Sequence, residues 1–140
     1  MNKDYYKEHR KNSFTQWAYS IQRIDLLIVS ISGAGIYVSL ESLKFSLEHH
    51  TCNNILLKIC GVIFVLALIA NFISQYTGEK ANYNEMKFAD EKVEEKEIEA
   101  AKFATIADCN SNATGILNIA SMITMFSGLV LLIVYFFITF

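Results

Sequence analysis

The side chains with chemistry to offer are polar residues set into long apolar stretches. Asn71 and Ser74 lie in ILLKICGVIFVLALIANFISQ, residues 55–75, where Ala67, Asn71 and Ser74 recur at i, i+4, i+7. Asn118, Ser121 and Gly128, joined by Thr124, form a second stripe near the C-terminus. In the first apolar block Ser32, Gly35 and Ser39 share one helical face, and Gly33 and Tyr37 share another. Residues three or four apart stack on one side of a helix. Small residues let helix backbones approach closely, and amides in lipid look for partners on a neighbouring helix. Two uses follow. Asn71 and Asn118, each about one turn inside the same end of its helix, can bond to each other as internal glue. Alternatively, the stripes can face an axis between subunits and line a hydrated constriction, as rings of polar groups do in pores.

Covalent chemistry finds little support. Glu48-His49-His50-Thr51-Cys52 holds zinc-type ligands, but adjacent histidines point different ways and no second ligand cluster accompanies them. No metal and no cofactor are expected. The chain lacks a G-x-x-x-x-G-K-[ST] or G-x-G-x-x-G loop and any supported Ser/His/Asp or Cys/His arrangement, so no catalytic residue is assigned and no enzyme is expected. Asn112-Ala113-Thr114 matches the glycosylation acceptor pattern, although the topology below puts it in the cytoplasm. Cys52, Cys60 and Cys109 form no spaced framework. A formal net charge of −2, with acids outnumbering scattered lysines, argues against nucleic-acid binding.

The elements that must position these residues are membrane helices. At 140 residues the chain is read as one domain. Its apolar residues, 53% of the total, are gathered in blocks, and there is no proline to interrupt a helix. A bilayer core of about 30 Å needs roughly 20 helical residues. The expected fold is all-α with three transmembrane spans, residues 24–43, 55–75 and 115–140, and a cytoplasmic helix between spans two and three. The polar residues 1–23 contain no short apolar core with a cleavage site, so the first block is expected to be retained. Basic residues set orientation. Lys3, Lys7, Arg10, Lys11 and Arg23 precede span one, and Lys80, Lys87, Lys92, Lys96 and Lys102 lie between spans two and three. Only Lys44 and Lys58 lie toward the other side. The N-terminus and segment 76–114 are therefore expected in the cytoplasm, with the loop 44–54 and the C-terminus outside.

Ser13-Phe14-Thr15-Gln16 fits a capping box with Ser13 as N-cap. Phe14, Trp17, Ile21 and Ile24 then recur at helical spacing, as in an interfacial helix with Trp17 at headgroup level. The basic residues ahead of them can touch anionic lipid. Thr77–Asn82, TGEKAN, reads as a turn, followed by a helix from Tyr83 to Ala107 that the polar run 108–112 ends. Met86, Val93, Ala100 and Ala107 are seven apart, with Ala89 and Phe103 on the neighbouring heptad position. Such a stripe pairs helices, either between subunits of a homo-oligomer or against an extension of span two. Residues 1–23 carry five basic and two acidic residues, and residues 77–113 carry five and nine. The two parts share one side of the membrane and attract each other, unless the acidic face serves a cytoplasmic protein partner.

Residues 13–107 resemble the SLATT-type membrane effectors of bacterial conflict systems. The matching pieces are the aromatic and arginine-bearing stretch from Trp17 to Arg23, two spans joined by a short loop, and YNEMKFADEKVEEKEIEAAKF after Gln75-Tyr76. The third span departs from that family's two-span layout. The resemblance implies a bacterial inner-membrane effector that forms pores or disturbs the bilayer when a sensor signals, and it carries over no functional residue. The expected function is an oligomeric pore or membrane-perturbing unit gated through the cytoplasmic helix. The alternatives are a non-conducting anchor or accessory subunit presenting the acidic helix to a partner, and a holin-like lysis protein.

Overall fold

In lipid every backbone N–H and C=O must be satisfied within the protein, which leaves helices as the simplest way to cross. The computed structural model describes residues 3–48, 54–93 and 96–139, with side chains from residue 21 onward except 54, 89, 92 and 93. It is all-helical: α1 spans Lys3–Glu48, α2 Asn54–Val93 and α3 Glu97–Thr139, of 46, 40 and 43 residues. At roughly 1.5 Å per residue these are about 60–70 Å long, about twice the hydrocarbon thickness of a bilayer. Each helix is long and apolar enough to span a membrane.

Helix ends depart from the sequence reading in three places. Ser13 lies inside α1, ten residues past its start, Thr77–Asn82 continues α2 without a turn, and residues 108–112 continue α3. The separate helix from Tyr83 to Ala107 is thus divided: its first part extends α2, which ends at Val93, and its last part belongs to α3, which begins at Glu97. The reason lies in where the polar side chains bond. Thr77 Oγ1 donates to the Ser74 carbonyl (2.9 Å), Asn84 Nδ2 to Lys80 (2.7 Å), Asn110 Nδ2 to Ile106 (2.9 Å) and Thr114 Oγ1 to Asn110 (2.8 Å). Bonded back to the preceding turn, they no longer compete with the helix. The reversal turns on Lys96. Its N–H donates to the Glu91 carbonyl at 3.0 Å, the six-to-one closure of a helix C-terminus, and its own carbonyl accepts from Ala100 N–H at 3.0 Å, opening α3. Glu97 and Glu99 in the first turn of α3 favour the positive end of its dipole.

Packing follows a seven-residue repeat. On α2 the buried residues are Leu57, Cys60, Phe64, Ala67, Asn71, Ser74 and Ala81, with alternating steps of three and four as far as Ser74. On α3, Ala100, Ala107, Ser121, Gly128 and Tyr135 sit at multiples of seven from one another. This 3.5-residue period is that of helices wound left-handedly around each other. Antiparallel α2 and α3 share the longest interface; α1 packs chiefly on α2. Phe64 is the knob that joins all three. A Cβ on Gly35 would stand 2.5 Å from its ring, and one on Gly128 would stand 3.0 Å away, so both helices come close only because these positions are glycine. Ile28, Ala67 and Met125 continue the core one turn along. The expected stripe of Met86, Val93, Ala100 and Ala107 crosses the reversal and does not lie on one helix. Met86 is exposed, Phe103 is half-buried, and the side chains of Ala89 and Val93 lie outside the described residues.

The surface is inverted relative to a protein in water. Phe72, Ile123 and Phe137 are 57%, 60% and 86% exposed, while Asn71, Ser32 and Ser121 are 0% exposed. Soluble monomers rarely carry such continuous apolar surface. Three apolar spans with polar side chains turned inward are the arrangement of a multi-pass membrane protein.

Gly33 and Gly35, two residues apart on α1, give a matched test of the Phe64 seat. Gly35→Ala is expected to lower stability in detergent by about 1–3 kcal/mol, because the added methyl would overlap the Phe64 ring, which also packs closely on Gly128 of α3. Gly33→Ala, with nothing within 4 Å of the added methyl, is expected to leave stability unchanged or to raise it slightly through helix propensity. Thermal unfolding of the two variants side by side checks this.

Candidate functional site

Where the three helices pass from apolar to charged sequence, their polar side chains meet in one cluster. Asn71, which is fully buried, donates from Nδ2 to Asp25 Oδ1 on α1 at 3.0 Å. Its Oδ1 accepts from Gln75 Nε2, one turn on, at 2.9 Å. Ser74 Oγ stands 2.6 Å from Asn118 Oδ1 and 3.0 Å from the Thr114 carbonyl on α3, and its single proton serves one of them at a time. Thr77 and Thr114 bring their hydroxyls within 2.8 Å one turn farther. The Ser74 and Thr77 contacts run down α2 as their partners run up α3, in the same antiparallel register as Phe64 against Gly128.

A cleft of about 650 Å3 opens beside this cluster, bordered by Asp25, Ser74, Gln75, Glu79, Thr114 and Asn118 among others. On the outer side of α2, Lys80 Nζ lies 4.8 Å from the Tyr76 ring centroid and Lys87 Nζ lies 5.9 Å from that of Tyr83. Aromatic rings with lysines beside them are characteristic of the membrane–water boundary. Two carboxylates, several carboxamides and several hydroxyls give the cleft the means to exchange hydrogen bonds with water. Among the described residues no three potential metal ligands gather; His49, His50 and Cys52 lie outside the described residues.

The stripes read from sequence divide here. Asn71 and Asn118 do not bond to each other: Asn71 faces Asp25 on α1, while Asn118 faces Ser74. Asn71 and Ser74 stand three residues apart on α2, and the first turns to α1 while the second turns to α3. Gly35 and Gly128 hold Phe64. Ser39 Oγ donates to the Gly35 carbonyl (2.7 Å), Ser121 Oγ to Asn118 (2.9 Å) and Thr124 Oγ1 to Ala120 (2.7 Å). Ser32 is buried, and its Oγ has no hydrogen-bond partner among the described residues. Asp25, Gln75, Thr77 and Thr114 lie outside the small and polar stripes read from the sequence. Gln75 and Thr114 stand four residues from Asn71 and Asn118 respectively, the spacing that would have found them. Asp25 reads only as a boundary charge until its α2 partner is known.

Double-mutant cycles separate these pairings. The Ser74/Asn118 cycle to alanine is expected to give a coupling of about 0.6 kcal/mol, reaching roughly 1.7 at most. The Asn71/Asn118 cycle should give none beyond error, and equal couplings would contradict the geometry. The chain matches no family model, no curated protein and no solved structure.

Proposed function

We propose that this chain is the building block of an oligomeric membrane assembly that makes or perturbs a permeation path, and that the three-helix unit is its resting form. The observation that carries the reading is a thread of polar groups inside an apolar shell. On one side of Phe64 lie Asn71 and Ser74, buried, with their half-buried partners Asp25 and Asn118; on the other lie Ser39 and Ser46, both buried. Phe64 interrupts this thread between Gly35 and Gly128, in the manner of a hydrophobic constriction that excludes water. A single three-helix unit is too narrow to conduct, so opening requires neighbours to take over contacts that α1, α2 and α3 now make among themselves.

The excess of lysine and arginine before α1's apolar part and around the α2–α3 reversal supports a cytoplasmic placement of both. The helices then extend about 30 Å beyond the polar cluster into the cytoplasm, counting roughly 1.5 Å per residue. Such a stalk is well placed to receive a signal. The layout shared with SLATT-type effectors supports a bacterial inner-membrane setting and a role in defence.

A second reading, a non-conducting anchor that presents the acidic stalk to a protein partner, is favoured by one observation. Asn71, Ser74 and Asn118 satisfy one another's neighbours within a single chain. Ion flux in liposomes separates the two. Phe64→Ser, which makes the thread continuous, is expected to raise leak above that of the parent while the protein remains helical and assembled. If neither the parent nor this variant conducts ions or dye, the permeation reading falls and the anchor stands.

A further inference from the structure

We propose that Glu41 and Lys58 form an ion pair between neighbouring copies of this chain, joining them head to tail within the apolar zone. The inference rests on the oligomeric reading above and names the contact that builds it. Glu41 lies sixteen residues past Asp25 on α1, and Lys58 lies eighteen residues before Tyr76 on α2. At roughly 1.5 Å per residue both are about 24–27 Å from the boundary marked by the polar cluster, still short of the far side of a core about 30 Å thick. They are also level with each other. Phe64 against Gly35 and Gly61 against Ser39 fix the antiparallel register of α1 and α2, which brings Lys58 to the height of Glu41. Both side chains are exposed, and among the described residues neither has an ion-pair or hydrogen-bond partner.

Opposite charges at equal depth would be expected to pair within the chain, but they open on different flanks. Glu41 borders a groove of about 350 Å3 with Tyr37, Phe45 and Tyr135, between α1 and α3. Lys58 borders an apolar groove of about 440 Å3 with Ile36, Leu43 and Val62, between α1 and α2. A carboxylate on one flank and an ammonium on the other, each beside an unfilled apolar groove, are complementary between two copies. A contact that joins different faces repeats from subunit to subunit and closes into a ring when the rotation allows. Charges facing lipid are unfavourable unless they pair or reach the interface. The competing arrangements are Lys58 extending to the outer headgroups and Glu41 turning to Lys44 on its own helix.

The test uses the full chain in lipid nanodiscs, with copy number read by native mass spectrometry and chemical cross-linking, and with helicity checked by circular dichroism. Glu41→Lys alone and Lys58→Glu alone are each expected to cut the assembled fraction by about tenfold or more, as a like-charge contact does at an interface. Mixing these two variants is expected to restore assembly, because each chain then offers its neighbour the missing sign. The double swap in one chain restores it too, and Lys44→Gln leaves it unchanged. Single variants that assemble like the parent overturn the pair in favour of headgroup contact. Rescue by the double swap without rescue by mixing overturns it in favour of a pair within one chain, and loss on Lys44→Gln alone points to the pair on α1. A parent that is monomeric in lipid defeats this inference together with the oligomeric reading. An assembled parent with indifferent variants defeats this inference alone.

Discussion

The ring of Phe64, held between Gly35 on α1 and Gly128 on α3, sets the register on which the other contacts depend. Once it is seated, the antiparallel fit of α2 and α3 is fixed, and Ser74 arrives opposite Asn118 and Thr77 opposite Thr114. The same seat fixes α1 against α2 and brings Asp25 to Asn71. In a bilayer no hydrophobic force draws helices together, since lipid is as apolar as leucine. Close packing and interhelical hydrogen bonds must hold the bundle. The sequence supplies both on one repeat, with glycine, alanine and serine between the helices around Ile28, Leu57 and Phe64, and most of the other large apolar residues facing outward.

Much of this architecture could be read from residue types. The three apolar blocks are helical, and each is long enough to cross a membrane. The small and polar stripes of α1, α2 and α3 do share buried faces, because the 3.5-residue period that sorts them in sequence is the period of the packed helices. The connection was not legible. Thr77–Asn82 contains the residue types that make turns, yet Thr77 spends its hydroxyl on the Ser74 carbonyl, and Gly78 lets Thr114 approach, with the methyl 3.4 Å from where a Cβ would stand. The chain instead turns back between the end of α2 at Val93 and the start of α3 at Glu97, in a charged run that has no glycine, proline or asparagine to mark it. Lys96 makes the reversal through its backbone N–H and carbonyl, which every residue except proline possesses. Composition carries no trace of that choice.

The candidate site was half legible for a related reason. Asn71 and Asn118 stand out because amides are rare in apolar sequence, but their partners depend on a register that no single helix reveals. Asp25 and Ser74 became meaningful only when α1 and α3 were laid against α2. The outcome is a bundle whose polar groups are paired at one end, interrupted at Phe64, and resumed beyond it. A structure so arranged is stable as a unit while holding the groups that a rearranged assembly could expose to water.

The central claim is that α2 turns its polar and small residues inward, together with Leu57 and Phe64, and its other large apolar residues toward lipid. Spin labels placed singly from residue 55 to residue 75 in nanodiscs report this directly through oxygen accessibility. Positions 57, 60, 64, 67, 71 and 74 should be protected, and positions 62, 65, 69, 72 and 73 accessible, with a period near 3.5 residues. Uniform accessibility along α2, or strong access of a water-soluble relaxer to positions 65, 69 and 72, would contradict it.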